Sequence, residues 1–183
     1  EGVPLNRAIE VVFGVQPSRI VTETKPPKGK YDFYITLPPI NGQPQTQAAL
    51  EKVFAQAVAA TFGLTAKRET REVDVLVLKT NATSRDALSR SVNRDGKSSA
   101  FWNEAAAIHQ PPSTLAQELE TSSTKPVFDE TGLTEPCDFD IKWEQKDYAH
   151  PNIAGMIVAV KQLGLDLVPV KKSLAVIVVS KSN

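Results

Sequence analysis

The sequence has little of the material from which most functional signatures are built: one cysteine, one methionine and two histidines in 183 residues. A single cysteine excludes an intrachain disulfide, and two histidines make a poor case for a metal site. Basic and acidic residues number 21 each, so the formal net charge is zero. The usual electrostatic argument for nucleic acid or an anionic membrane as the main partner is therefore lacking.

Long apolar runs are lacking as well. No stretch approaches the roughly 20 apolar residues that a membrane-spanning helix needs, so we expect no membrane insertion. Apolar residues still make up 41% of the chain and charged residues 23%, which is enough for a folded core. The first residue is Glu1 rather than methionine, and we interpret it as a processing boundary from which a leader or a preceding domain was removed.

Two stretches of the chain repeat one pattern. Residues 31–35 and 137–141 both contain an aspartate followed by phenylalanine, and a helical pattern follows each. Each helical pattern ends in Gly-Leu ahead of a valine-rich run. Asp32 and Asp138 are offset by 138 − 32 = 106 residues, and Gly63 and Gly164 by 164 − 63 = 101. Such a duplication indicates a scaffold built by repetition, in which the repeated residues occupy core and turn positions.

Apolar periodicity predicts an α+β fold of two repeated units, each in the order helix, strand, strand, helix, strand, strand. We expect antiparallel sheets with the helices packed on one face, and Ser113 as a helix N-cap. The predicted helices cover residues 5–13, 45–61, 113–122 and 152–163. The predicted strands cover residues 19–22, 31–37, 126–128 and 138–143, with two closing hairpins formed by 64–69 with 73–78 and by 165–170 with 174–179.

The two units are predicted at residues 1–80 and 112–183, joined by a connection at residues 81–111. The first part of this connection is polar and weakly patterned, so we expect a long surface segment with a helical turn around Ala87. Phe101 and Trp102 are large apolar residues that we expect to pin the connection to a core or to form a short strand.

A family resemblance is carried by four stretches: residues 5–16, residues 68–73, residues 127–133 together with 138–139, and residues 162–167. In them the chain resembles an uncharacterised bacterial domain family that is expanded in soil Acidobacteria and also found in Planctomycetes and Verrucomicrobia. Its helix–strand–strand spacing also resembles the secretin and TonB N-terminal domain. The resemblance covers nearly the whole chain outside residues 80–111 and implies two divergent copies of that domain.

The resemblance implies a periplasmic or extracellular protein of the bacterial envelope. Members of the family typically carry export signals, and some are fused to thioredoxin-like or membrane-peptidase sensor domains. The family brings no activity that could be assigned to a residue. The chain also departs from the family pattern ahead of Asp138, where Pro136 and Cys137 stand in place of a glycine and an aromatic residue.

Cys137 is the candidate nucleophile of a thiol enzyme, which would need a histidine within hydrogen-bond reach. The two histidines, His109 and His150, precede proline-containing turns and have no family-type spacing to the cysteine. We therefore expect a buried structural thiol and two exposed loop histidines.

An acidic cluster surrounds Thr131 and could in principle bind calcium or do acid–base work. Its members are Asp129, Glu130, Asp138, Asp140 and Glu144. The spacing matches no calcium loop, so we expect strand-end and turn hydrogen bonds instead.

Basic residues are predicted at the tips of the two hairpins. Lys67, Arg68 and Arg71 belong to the first tip, and Lys171 and Lys172 to the second. Such tips are usually solvated, but these could contact an anionic partner.

No catalytic set, cofactor fingerprint or metal-ligand spacing accompanies the repeat, and Gly63 and Gly164 are predicted to end helices rather than to hold phosphate. We therefore expect a non-enzymatic envelope module, without a cofactor or a metal. It would bind a protein partner, or a neighbouring domain of a longer chain, by strand addition at a sheet edge. The alternative is a small-molecule or glycan-binding domain that uses the groove between the two units, with Trp102 and Trp143 as stacking groups. No motif encodes the oligomeric state.

Overall fold

A computed structural model describes residues 2–39, 42, 44, 46–81, 89–90, 96–147 and 149–182. In these residues it contains helices and strands that mix along the chain, which confirms the α+β class. The helices are α1 (Leu5–Phe13), α2 (Gln47–Phe62), α3 (Pro112–Ser123) and α4 (Ile153–Lys161). The strands are β1 (Ile20–Thr22), β2 (Leu64–Thr80), β3 (Ser89–Arg90), β4 (Lys97–Phe101), β5 (Glu104–Gln110), β6 (Val127–Asp129), β7 (Cys137–Lys142) and β8 (Leu165–Lys181).

The four predicted helices are confirmed, and local residues explain where they end. Gly14 and Gly63 follow α1 and α2 with φ of 61° and 64°, the left-handed conformation that glycine adopts at low cost. The Asn152 side chain caps α4 by accepting a hydrogen bond from the Gly155 N–H at 3.0 Å. Ser113 is not an N-cap, because α3 already begins at Pro112, where the missing proline N–H costs nothing.

The two long strands differ most from the prediction. β2 and β8 each run for 17 residues without a turn, so neither predicted hairpin forms. Residues 68–73 and 170–174 contain charged and small residues but no glycine, proline or asparagine. Because these are the residues that favour a tight turn, the chain continues as a strand through both stretches.

By their contacts, the residues form two compact units, of which the first is discontinuous in sequence. Unit 1 comprises Glu1–Arg71 and Ser173–Asn183, and unit 2 comprises Glu72–Lys172. β2 begins in unit 1 and ends in unit 2, whereas β8 begins in unit 2 and ends in unit 1. Unit 1 therefore takes the C-terminal half of β8 from the far end of the sequence, and unit 2 holds the other half of each long strand. The predicted repeat boundaries at residues 80 and 112 stay a prediction.

In unit 1, α1 and α2 pack over strands that lie in the order β1, β8, β2. β1 pairs in parallel with the C-terminal half of β8, with Val21 opposite Val178. The sheets were predicted to be antiparallel, and this prediction is wrong for the pair of β1 and β8. Ser182 donates its N–H to the Gly63 carbonyl at 2.8 Å and so fixes the end of β8 beside the start of β2. The core of this unit joins Ile9, Phe54 and Ile177.

Unit 2 contains two groups of strands. β6 pairs in parallel with the C-terminal half of β2, with Val77 opposite Phe128. A second, antiparallel sheet has the order β3, β7, β5, β4. Its core is formed by apolar residues from α3, α4, β7 and the two long strands. The largest fully buried members of this core are Leu76, Leu78, Leu115, Leu119, Ile141, Met156 and Leu165.

Part of the predicted connection at residues 81–111 belongs to the antiparallel sheet. Residues 97–110 form the β4–β5 hairpin, and β5 is a central strand of the antiparallel sheet. The run of alanines at residues 105–107 gave no strand signal, but Ala105 and Ala107 are buried because small side chains allow close packing of α3. The helical turn predicted around Ala87 lies outside the described residues. No helix in the described ranges is long and apolar enough to cross a membrane.

Ile177 and Leu167 both lie in β8, but their side chains belong to different cores. We expect Ile177→Ala to lower the free energy of unfolding by about 2–5 kcal/mol, because truncation of a buried side chain leaves a cavity. Hydrogen exchange measured by NMR should speed up mainly in α1 and α2. Leu167→Ala is the matched control and should speed up exchange in α4 and β7. The division of β8 between two cores is wrong if Ile177→Ala also loosens mainly α4 and β7.

Candidate functional site

The most exposed apolar surface of unit 1 surrounds residues 31–37, which we call the edge segment. These residues were predicted to form a strand, and this prediction is wrong: the structure records a single antiparallel bridge, between Tyr31 and Val3. The burial of its side chains alternates with a period of two residues, which is the pattern of an extended strand. Odd-numbered residues are half-buried, whereas Asp32, Tyr34 and Thr36 are exposed.

Aromatic contacts hold the edge segment in place. The Tyr31 ring lies 4.9 Å from the Phe62 ring of α2, and the Phe33 ring lies 5.7 Å from that of Phe54. Each such pair contributes about 0.5–1.5 kcal/mol beyond the burial of its area. Side chains on one face thus anchor the segment to the helices without using its main chain.

The main chain of the edge segment is almost unpaired. Tyr31 exchanges two hydrogen bonds of 2.9 Å with Val3, but within the described part of the chain residues 32–37 make no main-chain hydrogen bond to another strand. Unpaired N–H and C=O groups along an extended segment can template the pairing of another strand. The edge segment has this geometry.

An apolar groove runs between the edge segment and α1. Its volume is about 530 Å³, and Val11, Val12 and Leu50 line it together with Phe33 and Ile35. A second cavity of about 420 Å³ shares Ile35 and Leu50 with the first and extends it past Leu37. We call these two cavities together the apolar groove. It follows the whole edge segment.

Two large side chains at this groove are unusually exposed to solvent. Tyr34 is 91% exposed and Val11 is 65% exposed. Val11 lies outside the apolar stripe of α1 that packs into the core, so its exposure serves no packing in unit 1. Exposed apolar patches of this kind mark interaction surfaces.

Arg68 does not lie at a hairpin tip. Its hydrogen bonds connect the elements that surround the edge segment. Its Nε and Nη2 donate to the two oxygens of Glu51 at 3.1 and 2.8 Å, and Nη2 also donates to the Phe13 carbonyl at 2.6 Å. The hydrogen bond from Arg68 holds the pKa of Glu51 below its ordinary value. One guanidinium thus joins β2, the C-terminus of α1 and α2.

The other predicted basic contacts are also ion-paired along the long strands. Lys67 and Arg71 contact Glu69 at 2.7 and 2.6 Å, Lys171 lies 3.8 Å from Glu72, and Lys172 pairs with Glu130. Because β2 and β8 contain no turn, none of these residues lies at a hairpin tip. Their charges are already compensated, which removes the main reason to expect an anionic partner there.

The two tryptophans lie in unit 2 and converge on one residue. Trp143 donates its indole N–H to Gln145 Oε1 at 3.0 Å, and Trp102 donates to the Gln145 carbonyl at 3.2 Å. The Gln145 amide also bonds the main chain of Asp147 and Asn152. A cavity of about 560 Å³ lies beside this network, but Gln145 is occupied by contacts that hold the loop together. Trp143 is buried, as expected of a core anchor.

Cys137 is buried, as predicted, and its thiol contacts the Gln110 carbonyl at 3.5 Å. Burial, followed by the charges of Asp138 and Asp129, raises the pKa of this thiol and disfavours the nucleophilic thiolate. His109 is not on an exposed loop: it lies at a bulge of β5 with a φ of 51°. Its Nδ1 is buried and has no hydrogen-bond partner in the described part of the chain.

His150 is an exposed loop residue, as predicted, and its Nδ1 lies 2.7 Å from Asp147 Oδ1. The acidic cluster serves turns and strand ends. Asp129 accepts two hydrogen bonds from Thr131, at 2.6 and 2.9 Å, and Asp138 accepts one from the His109 N–H at 2.8 Å. Asp32 lies exposed in the edge segment, so the structure gives the two repeated aspartates different surroundings. Across the described ranges, no three His, Cys, Asp or Glu residues are placed to hold a metal.

Two local features of the sequence relate to the groove. The alternation at residues 31–37 indicated an extended segment, and Val11 was an apolar residue outside the core stripe of α1. Neither signal shows that these residues face each other, since that depends on how α1 and α2 pack.

A family model described as "Protein of unknown function (DUF3738)" matches residues 6–181. This confirms the expected membership of an uncharacterised domain family, whereas its distribution among bacteria and the two secretin-like copies stay predictions. No curated protein and no solved structure matches the chain.

We expect Arg68→Met to lower the free energy of unfolding by about 1 kcal/mol at neutral pH, because the pair with Glu51 is only partly shielded from water. A carboxyl whose pKa is lowered by folding stabilises the folded state above its ordinary pKa, here 4.5. That stabilisation is lost as the pH falls through the lower folded-state value. Denaturant unfolding at about pH 7 and about pH 3 should therefore show a smaller difference between wild type and variant at the lower pH.

Arg71→Met is the matched control on the same strand. Its partners Glu69 and Glu23 are 22% and 46% exposed against 16% for Glu51, and in the described residues it donates to no main-chain carbonyl, so we expect a smaller loss. Equal losses for the two variants at about pH 7, or a loss for Arg68→Met that is independent of pH, would contradict the role given to Arg68.

Proposed function

The chain belongs to the DUF3738 family of unknown function, and we propose that it is a non-enzymatic protein-interaction module. Its partner is an extended peptide segment of another protein, which binds by adding a strand to the edge segment. We place the module at the bacterial envelope, in the periplasm or outside the cell. This location is supported by the sequence resemblance alone.

The single observation that carries the proposal is the unpaired main chain of residues 32–37. A strand needs a neighbour on at least one edge to satisfy its N–H and C=O groups without water. The segment is extended and anchored through Phe33 and Ile35 on one face only. An added strand would therefore find its hydrogen-bonding edge already formed and would not need to displace a native strand.

The apolar groove supplies the second support. Side chains of an added strand alternate between the two faces, so every other one would point towards the helices. There they would meet Val11 and Leu50. Main-chain bonds would then provide affinity and the groove would provide selectivity for apolar residues.

Three features favour a binding module over an enzyme. The thiol of Cys137 has a raised pKa, Asp129 and Asp138 are occupied by turn and strand hydrogen bonds, and Gln145 is occupied by the indoles. In the described residues these groups hold the fold together. The main chain of residues 32–37, in contrast, makes no hydrogen bond to another strand in the described part of the chain.

Hydrogen exchange of the intact, ¹⁵N-labelled chain tests the proposal, with a peptide of alternating valine and threonine as the probe. We expect the amides of residues 32–37 to exchange rapidly in the free protein. When the peptide is bound, exchange should slow by about tenfold or more at alternate residues, because an antiparallel neighbour pairs with every other residue on one edge. Binding that leaves all of these amides unprotected would show that no strand is added.

Two lysine substitutions on α1 provide a matched pair for the groove. Val11→Lys places a charge in the apolar groove and should weaken peptide binding by about tenfold or more. Asn6→Lys places the same charge on an exposed position of the same helix that does not line the groove, and it should leave binding unchanged. Equal effects of the two variants would place the peptide elsewhere.

A further inference from the structure

We infer that two copies of the chain associate by antiparallel pairing of β4, the edge strand of the antiparallel sheet in unit 2. This inference concerns a surface other than the edge segment and does not depend on the proposed peptide binding. It follows from the open edge of β4, from the main-chain groups that the β4–β5 hairpin turns outward, and from complementary side chains at the two ends of the strand.

β4 has a neighbour on one side only. The sheet has the order β3, β7, β5, β4, and within the described residues β4 pairs with β5 alone. The side chains of Lys97, Ser98 and Ser99 are exposed, and Phe101 is 52% exposed. An edge strand of this kind presents unpaired N–H and C=O groups with which another strand can pair.

The hairpin of β4 and β5 decides which main-chain groups face outward. A two-residue turn joins the strands, so Phe101 and Glu104 close the hairpin as a hydrogen-bonded pair. Hydrogen-bonded and non-hydrogen-bonded pairs alternate along antiparallel strands. The odd-numbered residues of β4 therefore bond β5, whereas Ser98 and Ala100 direct their N–H and C=O groups away from the sheet.

A two-fold axis at Ser99 uses all of these outward groups. Ser98 of one copy then lies opposite Ala100 of the other, and each such pair exchanges two hydrogen bonds. The two pairs join the four-stranded sheets of both copies into one continuous sheet. The same surface is used by both copies, so the interface closes with two chains and leaves β4 without a free edge.

Side chains at the two ends of β4 are complementary in this register. Lys97 would lie opposite Phe101 of the second copy, and Glu104 is the cross-strand neighbour of that phenylalanine. All three side chains lie on one face of the sheet, because alternate residues of a strand share a face with the residues opposite them. The stem of the lysine would cover the exposed ring, and its ammonium group would reach the carboxylate.

The charges needed for this contact are available. Among the described residues Lys97 has no ion-pair partner. Glu104 Oε2 lies 2.9 Å from Lys142 Nζ, and a carboxylate can accept hydrogen bonds from two partners. Each copy would therefore contribute one lysine and one glutamate, which gives two equivalent ion pairs across the interface.

A lysine on an edge strand usually discourages pairing with a second copy. Here the two-fold axis places the two Lys97 side chains at opposite ends of the interface. They are four residues apart along the strands, or about 14 Å at roughly 3.4 Å per residue. This separation exceeds the screening length of about 8 Å at physiological ionic strength, so the repulsion between them is weak.

The interface is small, and the association is correspondingly weak. β4 contributes five residues, compared with the roughly 20–30 residues a side of a stable interface. We expect a dissociation constant on the order of 100 µM. The two copies would then exchange readily between monomer and dimer.

Sedimentation equilibrium and hydrogen exchange of the intact chain test the inference. Between about 10 µM and about 1 mM the weight-average mass should rise from 19.9 kDa towards twice that value. Over the same range the Ser98 and Ala100 amides should exchange about threefold or more slowly, whereas the rate at Ser99, already bonded to β5, should not change. A mass that stays at 19.9 kDa, or slowing confined to other residues, would overturn the inference.

Ser98→Pro removes one outward N–H donor from each copy and should abolish the association. Proline is tolerated on an edge strand where the N–H that it replaces faces solvent, so β4 should stay paired with β5. Continued slow exchange of the Ser99 amide checks that the hairpin is intact. A variant with an intact hairpin that still associates like the wild type would contradict the inference.

A charge reversal leaves the main chain unchanged and tests the same interface independently. Lys97→Glu should raise the dissociation constant by about threefold to tenfold, because two exposed ion pairs are lost and the new carboxylate meets Glu104. Lys161→Glu is the matched control: it makes the same change at an exposed position of α4, which packs against β7, and should have no effect. Equal effects of the two variants would show that β4 does not form the interface.

The outcomes also separate this inference from the proposed function. The edge segment belongs to unit 1 and β4 to unit 2. Loss of association in Ser98→Pro without loss of peptide binding at residues 32–37 supports both proposals. A chain that associates through β4 but binds no peptide overturns the proposed function alone. Concentration-dependent protection of residues 32–37 in place of Ser98 and Ala100 would overturn the pairing of β4.

Discussion

The continuity of β2 and β8 is the constraint on which the rest of the structure depends. Each strand runs for 17 residues and supplies one half to each unit. Four consecutive residues are buried in the C-terminal half of each strand, 75–78 in β2 and 176–179 in β8, so both faces are covered there. Burial of a valine, leucine or isoleucine side chain is worth about 1.5–3 kcal/mol. These apolar runs therefore make a large contribution to the two cores, and the core of unit 1 depends on residues from both ends of the sequence.

The edge segment owes its character to the same arrangement. β8 already lies between β1 and β2 in unit 1, and the apolar side of α1 and α2 is taken up by these strands. Residues 31–37 are consequently held by aromatic contacts with α2 and not by a ladder. An extended segment fixed through its side chains keeps its main chain available. The proposed function follows from this arrangement, because side chains anchor the segment while its main-chain N–H and C=O groups stay available to another strand.

Local sequence patterns predicted where helices and strands lie better than they predicted which of these elements pair or pack together. The apolar spacing of residues 5–13 and 153–161 and the glycines that follow α1 and α2 identified the helices, because those signals are local. The hairpins were wrong because a charged stretch inside a long strand resembles a turn when only composition is considered. The Ala105–Ala107 stretch gave no strand signal, since its burial depends on α3. The groove at Val11 and the ion pairs of Arg68 also required knowledge of which elements pack together.

The most direct test of this account removes one strand half and leaves the rest. A chain that ends at Lys172 keeps all of unit 2, including Trp102 and Trp143, and loses only Ser173–Asn183 from unit 1. We expect native-like tryptophan fluorescence together with loss of chemical-shift dispersion and hydrogen-exchange protection in α1 and α2. If α1 and α2 keep their protection in the shortened chain, unit 1 does not depend on β8 and the account is wrong.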